Sequence, residues 1–307
     1  MRATPLPFSA PARLVPSVPS VPSVPSAPSA PFAHLPALGV GLGFREPFRS
    51  DLFLHPDAAD FLEIIADHYF DPTPEKAAEL DLLAEHFTLI PHGLNLSLGS
   101  ADGLDDAYLE NFARLIERLD PPWWSEHIAF TRAGGVEIGH LTPLPFTREA
   151  VDVFAANVAH VRRHIPTPLI LENITFSVHL PGAEMTEAGF VSAVLAATDC
   201  GLLLDVTNLH TNCVNHRTDP HAALAALPLD RVVQLHFTGG HTHHGELIDS
   251  HSQPTPPAVW DLLEHVLHRA PVRGVILERD ENLPPFAELA AELTRARDLG
   301  RRHHRWA

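Results

Sequence analysis

Carboxylates and imidazoles recur in this chain where short apolar runs end, a placement that can gather metal ligands. Pro91-His92-Gly93 closes one run, Ser125-Glu126-His127 another and Glu172-Asn173 a third. Asp205-Val206-Thr207-Asn208-Leu209-His210 follows Gly201–Leu204, and His236 is followed in the next loop by Asp249-Ser250-His251. Glu278-Arg279-Asp280 ends the last run, Asp67-His68-Tyr69 the second and Gly43-Phe44-Arg45 the first. Singly, each has an ordinary reading. A histidine at a strand end is more often hydrogen-bonded than ligating, and Glu172 or Glu278 can pair with an arginine. Jointly they do not, because carboxylates and imidazoles crowded at one rim repel strongly unless cations stand between them. Nitrogen and oxygen donors without thiolate suit zinc, iron or manganese. Mixed imidazole and carboxylate sites with open positions are typical of non-haem iron.

Such a rim needs strands that deliver it. From Leu38 onward, apolar runs near 39–44, 61–66, 88–96, 124–130, 168–174, 201–206, 232–237 and 272–277 alternate with amphipathic stretches. Residues 106–119, 148–164, 187–197 and 257–268 carry apolar side chains at three-to-four spacing, the helical period. Eight strands alternating with helices predict an α/β fold, a closed (β/α)8 TIM barrel over residues 37–300, with the site at the C-terminal ends of its strands. GVGLGF is glycine-rich, but its spacing does not match a dinucleotide-binding loop and no helix opens directly after it.

Residues 1–36 repeat VPS and APS motifs and predict a disordered, polyproline-like Pro/Ser/Val-rich tail. Residues 301–307 read as a short basic tail. The formal charge of −17 argues against nucleic acid, which requires a basic face. No apolar run reaches the length of a membrane span, and MRATPLPFSAPARL lacks the apolar stretch of a secretory signal. Two cysteines, Cys200 and Cys213, make no disulfide framework, so a cytoplasmic location is expected. The unusual usage is histidine, at 22 residues.

The runs PHGLNLSLGS, WWSEHIAF, LILENITF, GLLLDVTNLHTNCVNH, VVQLHFTGGH, IDSH and VILERD resemble, in order and spacing, the multinuclear non-haem iron-dependent oxidative enzymes. This is domain of unknown function 692, which includes the methanobactin biosynthetic oxygenase and the enzyme of 3-thiaglutamate biosynthesis. The resemblance spans roughly residues 38–290. It implies a xylose-isomerase-like barrel and two or three iron ions. It also implies O2 as co-substrate for oxidative modification of a ribosomally synthesised precursor peptide, most often at cysteine and frequently with a small partner protein. Carried over position by position, the implied metal ligands are His92, His127, Glu172, Asp205, Asn208, His236, Asp249, His251 and Glu278. Asn208 stands where the similar trinuclear zinc site of endonuclease IV has histidine. His210, Glu126 and Asp67 are the further candidates for catalytic roles. Glu126 is also read as orienting a ligand imidazole, and His210 as a proton-transfer group, an extra ligand or a lining variant. The histidines of GGHTHHGE are read as proton shuttles, a solvated lid or an adventitious metal binder. A zinc- or manganese-dependent isomerase or hydrolase on the same barrel, and a non-catalytic metal- or peptide-binding module, stay open. Lysine, which sugar isomerases of this shape use, occurs once, as Lys76.

Overall fold

A computed structural model describes residue 1 and residues 30–307 of the chain. Eight strands form the barrel: β1 (Gly39–Gly43), β2 (Phe61–Ile65), β3 (Thr88–His92), β4 (Trp124–His127), β7 (Leu169–Glu172), β8 (Gly201–Asp205), β9 (Val232–Phe237) and β12 (Gly274–Leu277). Every neighbouring pair is parallel, and the order β1-β12-β9-β8-β7-β4-β3-β2 closes on itself. Two hairpins stand outside the barrel, β5 (Phe130–Ala133) with β6 (Val136–Thr142) and β10 (Gly239–His243) with β11 (Glu246–Gln253). The expected barrel is therefore present, with its strands where the apolar runs placed them.

Helices wrap it. The short α1 (Arg49–Leu54) and then α2 (Pro74–His86), α3 (Asp106–Leu119), α4 (Arg148–Val161) and α5 (Glu187–Thr198) cover one side. α6 (Val206–His216), α7 (Pro220–Ala226), α8 (Pro257–Arg269) and α9 (Phe286–Arg302) cover the rest. Their starts follow from local chemistry: Thr73, Asp105, Thr147, Thr186, Asp205 and Asp219 each accept a first-turn N–H through the side chain. In α3, Leu109, Phe112, Leu115 and Ile116 share one buried stripe.

Inside the barrel the floor is apolar. Phe61, Ile90, Trp123, Ile170, Leu203, Val233 and Ile276 form one buried cluster. The glycine-rich GVGLG is strand β1 itself, and its glycines make room: a Cβ at Gly41 would lie 2.6 Å from Ile276 Cδ1 and 2.9 Å from the Phe61 ring. At Gly41 the missing side chain thus serves packing against β2 and β12.

Both expected tails need correction where they are described. Residues 2–29 lie outside the described residues, but residues 30–36 are part of the fold. Phe32, Leu35 and Leu38 pack against the apolar floor, and Arg273 donates to Ala33 O at 2.8 Å. The apolar side chains of the PFAHL stretch cover the N-terminal mouth of the barrel, burial that the repeat composition hid. At the other end α9 runs to Arg302, Arg305 donates to Leu267 O and His268 O, and Trp306 packs back on Gly300. The basic residues 301–307 thus belong to the helical layer.

Filling the space at Gly41 tests this packing. Gly41→Val is expected to cost about 1–3 kcal/mol, the usual range for an overfilled core. Leu54→Ala, at a side chain 72% exposed, is expected to stay within about 0.5 kcal/mol. Melting temperatures compared on the metal-free chain check both.

Candidate metal centre

A strand's side chains alternate between its faces, so residues two apart share the barrel interior. One two-residue step carries most strands from the apolar floor to a polar layer: Phe61 to Glu63, Ile90 to His92, Ile170 to Glu172, Leu203 to Asp205 and Ile276 to Glu278. Along β4 and the residue before it the series is Trp123, Ser125 and His127, with Glu126 on the other face. On β9 the register with β8 slips by one residue, Leu202 pairing with Val232 but Leu203 with Gln234. That bulge puts Val233 into the floor cluster and still leaves Gln234 and His236 facing inward, two apart.

The inward groups meet. Glu172 is the hub, its Oε2 lying 3.4 Å from His92 Nε2 and 3.3 Å from His127 Nε2, its Oε1 3.3 Å from His236 Nδ1. Glu278 Oε2 lies 3.2 Å from the same His236 nitrogen. Two groups of donor atoms result, each compact enough to hold an ion: His92, His127 and Glu172, then Glu172, Asp205, His236 and Glu278. From the β10–β11 hairpin, His251 Nε2 stands 2.9 Å from Asp249 Oδ1.

Each imidazole is tied on one nitrogen and turns the other toward the carboxylates of the centre. His92 Nδ1 pairs with Ser125 Oγ at 2.8 Å, and His127 Nδ1 faces Gly93 O and Glu126 Oε1. His236 Nε2 meets Glu63 Oε1 at 2.9 Å. Glu63 itself accepts from Gln234, whose carbonyl accepts from Trp123 Nε1. Such partners fix which nitrogen of a ligand histidine faces an ion. The remaining ligand pair comes from the first turn of α6. Asp205 caps that helix, its Oδ1 accepting from the N–H groups of Thr207 and Asn208, and Asn208 Nδ2 donates to Asn173 O. These bonds leave Asp205 Oδ2 and Asn208 Oδ1 to face the centre. Among the described residues, buried atoms with no hydrogen-bond partner include Glu172 Oε2, Asp205 Oδ2, Asn208 Oδ1, His236 Nδ1, Asp249 Oδ1 and His251 Nε2. A buried polar atom without a partner is costly, and this set faces one centre with nitrogen and oxygen donors only. The residues fit a cluster of divalent ions.

Charge crowding shows in the titration of these groups. Burial, together with the Asp249, Glu172 and Glu278 carboxylates, pushes Asp205 up to about 8. For His127 burial acts downward, but the Glu172 and Glu126 carboxylates prevail and push it up to about 9. His92 moves the other way, lowered by burial and by the neighbouring imidazoles of His127 and His236.

All nine carried-over ligand positions come to the C-terminal end of the barrel. His92, His127, Glu172, Asn208, Asp249, His251 and Glu278 line one cleft of about 380 Å³, with Asp205 and His236 buried beneath. The three other candidates do not reach the cleft wall. Asp67 holds the loop after β3, accepting from Leu94 N, Asn95 Nδ2 and Tyr108 Oη. Glu126, on the outward face of β4, accepts from Leu96 N and His127 N, so it orients His127. His210 lies half-buried on α6, two residues and so more than half a turn round the helix from Asn208, with its pKa lowered by burial. Of the GGHTHHGE histidines, His241 pairs with Ser250 Oγ, while His243 and His244 are exposed at the hairpin tip. Sequence reasoning passed over Glu63. Its signal was parity alone, a carboxylate two residues after Phe61 inside an otherwise apolar strand.

Residues 39–301 match the family model described as RiPP precursor modification enzyme MbnB/TglH/ChrH. A UPF0276 protein of Rhizorhabdus wittichii is 40% identical over 270 residues, covering 87% of this chain and 96% of the relative. One from Caulobacter vibrioides is 37% identical over 263 residues, covering 85% of this chain and 94% of the relative. Among solved structures, a D-psicose 3-epimerase aligns with TM-score 0.55 at 13% identity, covering 87% of this chain and 100% of that chain. At that identity the likeness is one of fold.

The raised values of Asp205 and His127 set a pH dependence for the metal-free chain. Both groups hold a proton near neutrality, and their protonated forms stabilise the fold. The Asp205 contribution is whole below its ordinary 3.8 and is lost as pH climbs through about 8. That of His127 is whole below 6.5 and is lost through about 9. The melting temperature of metal-free protein should therefore fall as pH rises from about 6 to about 9, because the folded state must surrender these protons. Bound ions replace the protons, so loading should flatten the fall and release protons. Calorimetric titration in buffers of different ionisation enthalpy reads the release, and a metal-free melting temperature that rose across the window would contradict the assignment.

Proposed function

This chain belongs to the RiPP precursor modification enzyme family MbnB/TglH/ChrH, and from that premise we propose that it is an iron-dependent oxidative enzyme. Its substrate in this reading is a ribosomally synthesised precursor peptide, modified at cysteine with O2 as co-substrate. The observation that carries the reading is the set of buried carboxylate, imidazole and amide atoms that face one centre without other partners. Imidazole and carboxylate donors with no thiolate suit non-haem iron, and both cysteines are buried and absent from the cleft wall.

His92, His127 and Glu172 would hold one ion, and Glu172, Asp205, His236 and Glu278 a second, Glu172 being common to both groups. Asp249, His251 and Asn208 would complete a third position at the rim. When bound, iron supplies the redox chemistry with O2, and the protein supplies orientation and electrostatics. The chain's own contribution is legible in its contacts. Ser125, Glu126 and Glu63 hold three imidazoles in fixed orientation. The apolar floor beneath keeps water from the buried side of the centre. Leu94, Leu141, Ile174 and Thr175 form cleft walls against which a peptide segment would lie, and Arg45, His140 and Glu281 its polar rim. A small partner protein that presents the peptide's leader belongs to the same proposal, as does a cytoplasmic location. Among the described residues no helix is long and apolar enough to cross a membrane.

Metal analysis of protein purified without oxygen from iron-replete cells, with iron-57 Mössbauer spectroscopy, tests the proposal. More than one iron per chain is expected, together with O2 consumption when a cysteine-bearing precursor is added. Asp205→Ala should strip the iron and abolish turnover, because it removes a ligand that no neighbour can replace. Stoichiometric zinc or manganese with no iron would favour an isomerase or hydrolase on this barrel instead. Iron that binds but consumes no O2 with the cognate peptide would favour a binding module.

A further inference from the structure

We infer that Asp280, itself held by Arg45, is the positioning residue that aims His251 at the centre and sets occupancy of the ion position His251 shares with Asp249. The inference deepens the metal reading above and rests on it.

The ligands differ in what orients them. His92, His127, Glu172, Asp205 and His236 sit on barrel strands, and Glu278 directly follows one, so the pleat aims their side chains. Asp249 and His251 sit on β11, in a hairpin that pairs only with itself. His251 also has φ +50°, in the left-handed region that a residue with a side chain seldom adopts. No strand pleat of the barrel directs this imidazole.

A polar chain does so instead. His251 Nδ1 lies 3.0 Å from Asp280 Oδ2, and Asp280 N donates to His251 O at 3.0 Å. The other oxygen, Asp280 Oδ1, accepts from Arg45 Nε at 2.8 Å and from Arg45 Nη2. Arg45 Nη1 donates to Phe44 O at 2.8 Å. Asp280 follows β12 and Arg45 follows β1, neighbours in the barrel wall. The chain thus ties the hairpin imidazole to two adjacent strands and turns its Nε2 toward Asp249 Oδ1. Both of those atoms are buried without another partner. Among the described residues Arg45 is the one arginine or lysine on the cleft wall, and its guanidinium is directed at Asp280 rather than at the ligand carboxylates. It therefore steadies the carboxylate without taking the place of a cation. A carboxylate behind a ligand histidine fixes the ring and raises its basicity toward the ion.

The geometry makes an asparagine at 280 a discriminating change. Its side chain keeps the size but has a single acceptor oxygen, so it can serve Arg45 or His251 and not both. The full-length chain would be stripped and reloaded anaerobically with Fe(II) alone and, separately, with Zn(II) alone. Ions per chain and affinity are then read by chelator competition. Asp280→Asn and Arg45→Met are each expected to weaken one ion by about 10–100-fold, the usual consequence of losing such a partner. The double variant should lose no more than either alone, since both act through one chain of contacts. Arg45→Lys should not restore binding, because an ammonium cannot make the two-pronged contact. One Mössbauer component should vanish while the others persist. The melting temperature of the metal-free chain should not move, since a solvent-facing ion pair contributes little to stability. His251→Ala serves as the reference. If it sheds an ion while Asp280→Asn keeps the wild-type count and affinity, the inference fails and the metal reading stands. If His251→Ala sheds none, the inference fails together with the rim position, while the two ions assigned to His92, His127, Glu172, Asp205, His236 and Glu278 still stand. An Asp280→Asn chain that sheds every ion would also overturn the inference, since the pair would then support the whole centre.

Discussion

Packing carboxylates beside one another in a dry barrel is the constraint on which the rest of this structure depends. His236 alone stands within 3.3 Å of Glu63, Glu172 and Glu278, and Asp205 is fully buried close by. Bare charges at that density repel strongly in a medium of low dielectric. A metal-free chain relieves the repulsion by keeping protons, as the raised values of Asp205 and His127 express. Cations relieve it better, because one divalent ion can answer several carboxylates at once and satisfy atoms that no hydrogen bond reaches.

The barrel builds that arrangement from a modest rule. An apolar side chain at the floor and a ligand two residues later is all that most strands contribute. β9 needs a bulge to obey it, and the bulge also brings Gln234 beneath His236 to meet Glu63 and Trp123. α6 obeys a different rule. Asp205 spends one oxygen on capping the helix and keeps the other for the centre, so a requirement of helix formation also orients a ligand. The rim hairpin has neither device and relies on side-chain contacts to the barrel wall.

Opposite the centre the mouth of the barrel is covered by Phe32 and Leu35, from a stretch that composition assigned to the tail. Proline and serine repeats hide two apolar anchors there, because composition averages over a window while burial acts on single side chains. The same effect hid the folded C-terminus, where basic residues surround Trp306.

The chain's own letters determined the architecture and most of the centre. Alternating apolar runs and helical periods dictate βα units, and acids and histidines at the run ends mark one rim, because both signals are local along the chain. All nine ligand positions that the resemblance implies lie at those run ends or in the one loop after them. What only the tertiary structure decided was the direction of each side chain. Glu126 and His127 are neighbours in sequence, yet the pleat sends one outward to orient the ring and the other inward to the centre. Asp67, at the end of its strand like the ligands, is drawn off by Tyr108, which lies 41 residues away. Glu63 looked like a strand interior until closure of the barrel set it against His236, across 173 residues of chain. Parity, bulges and contacts of that range depend on how strands pair and where a barrel closes, and no local window of sequence contains them.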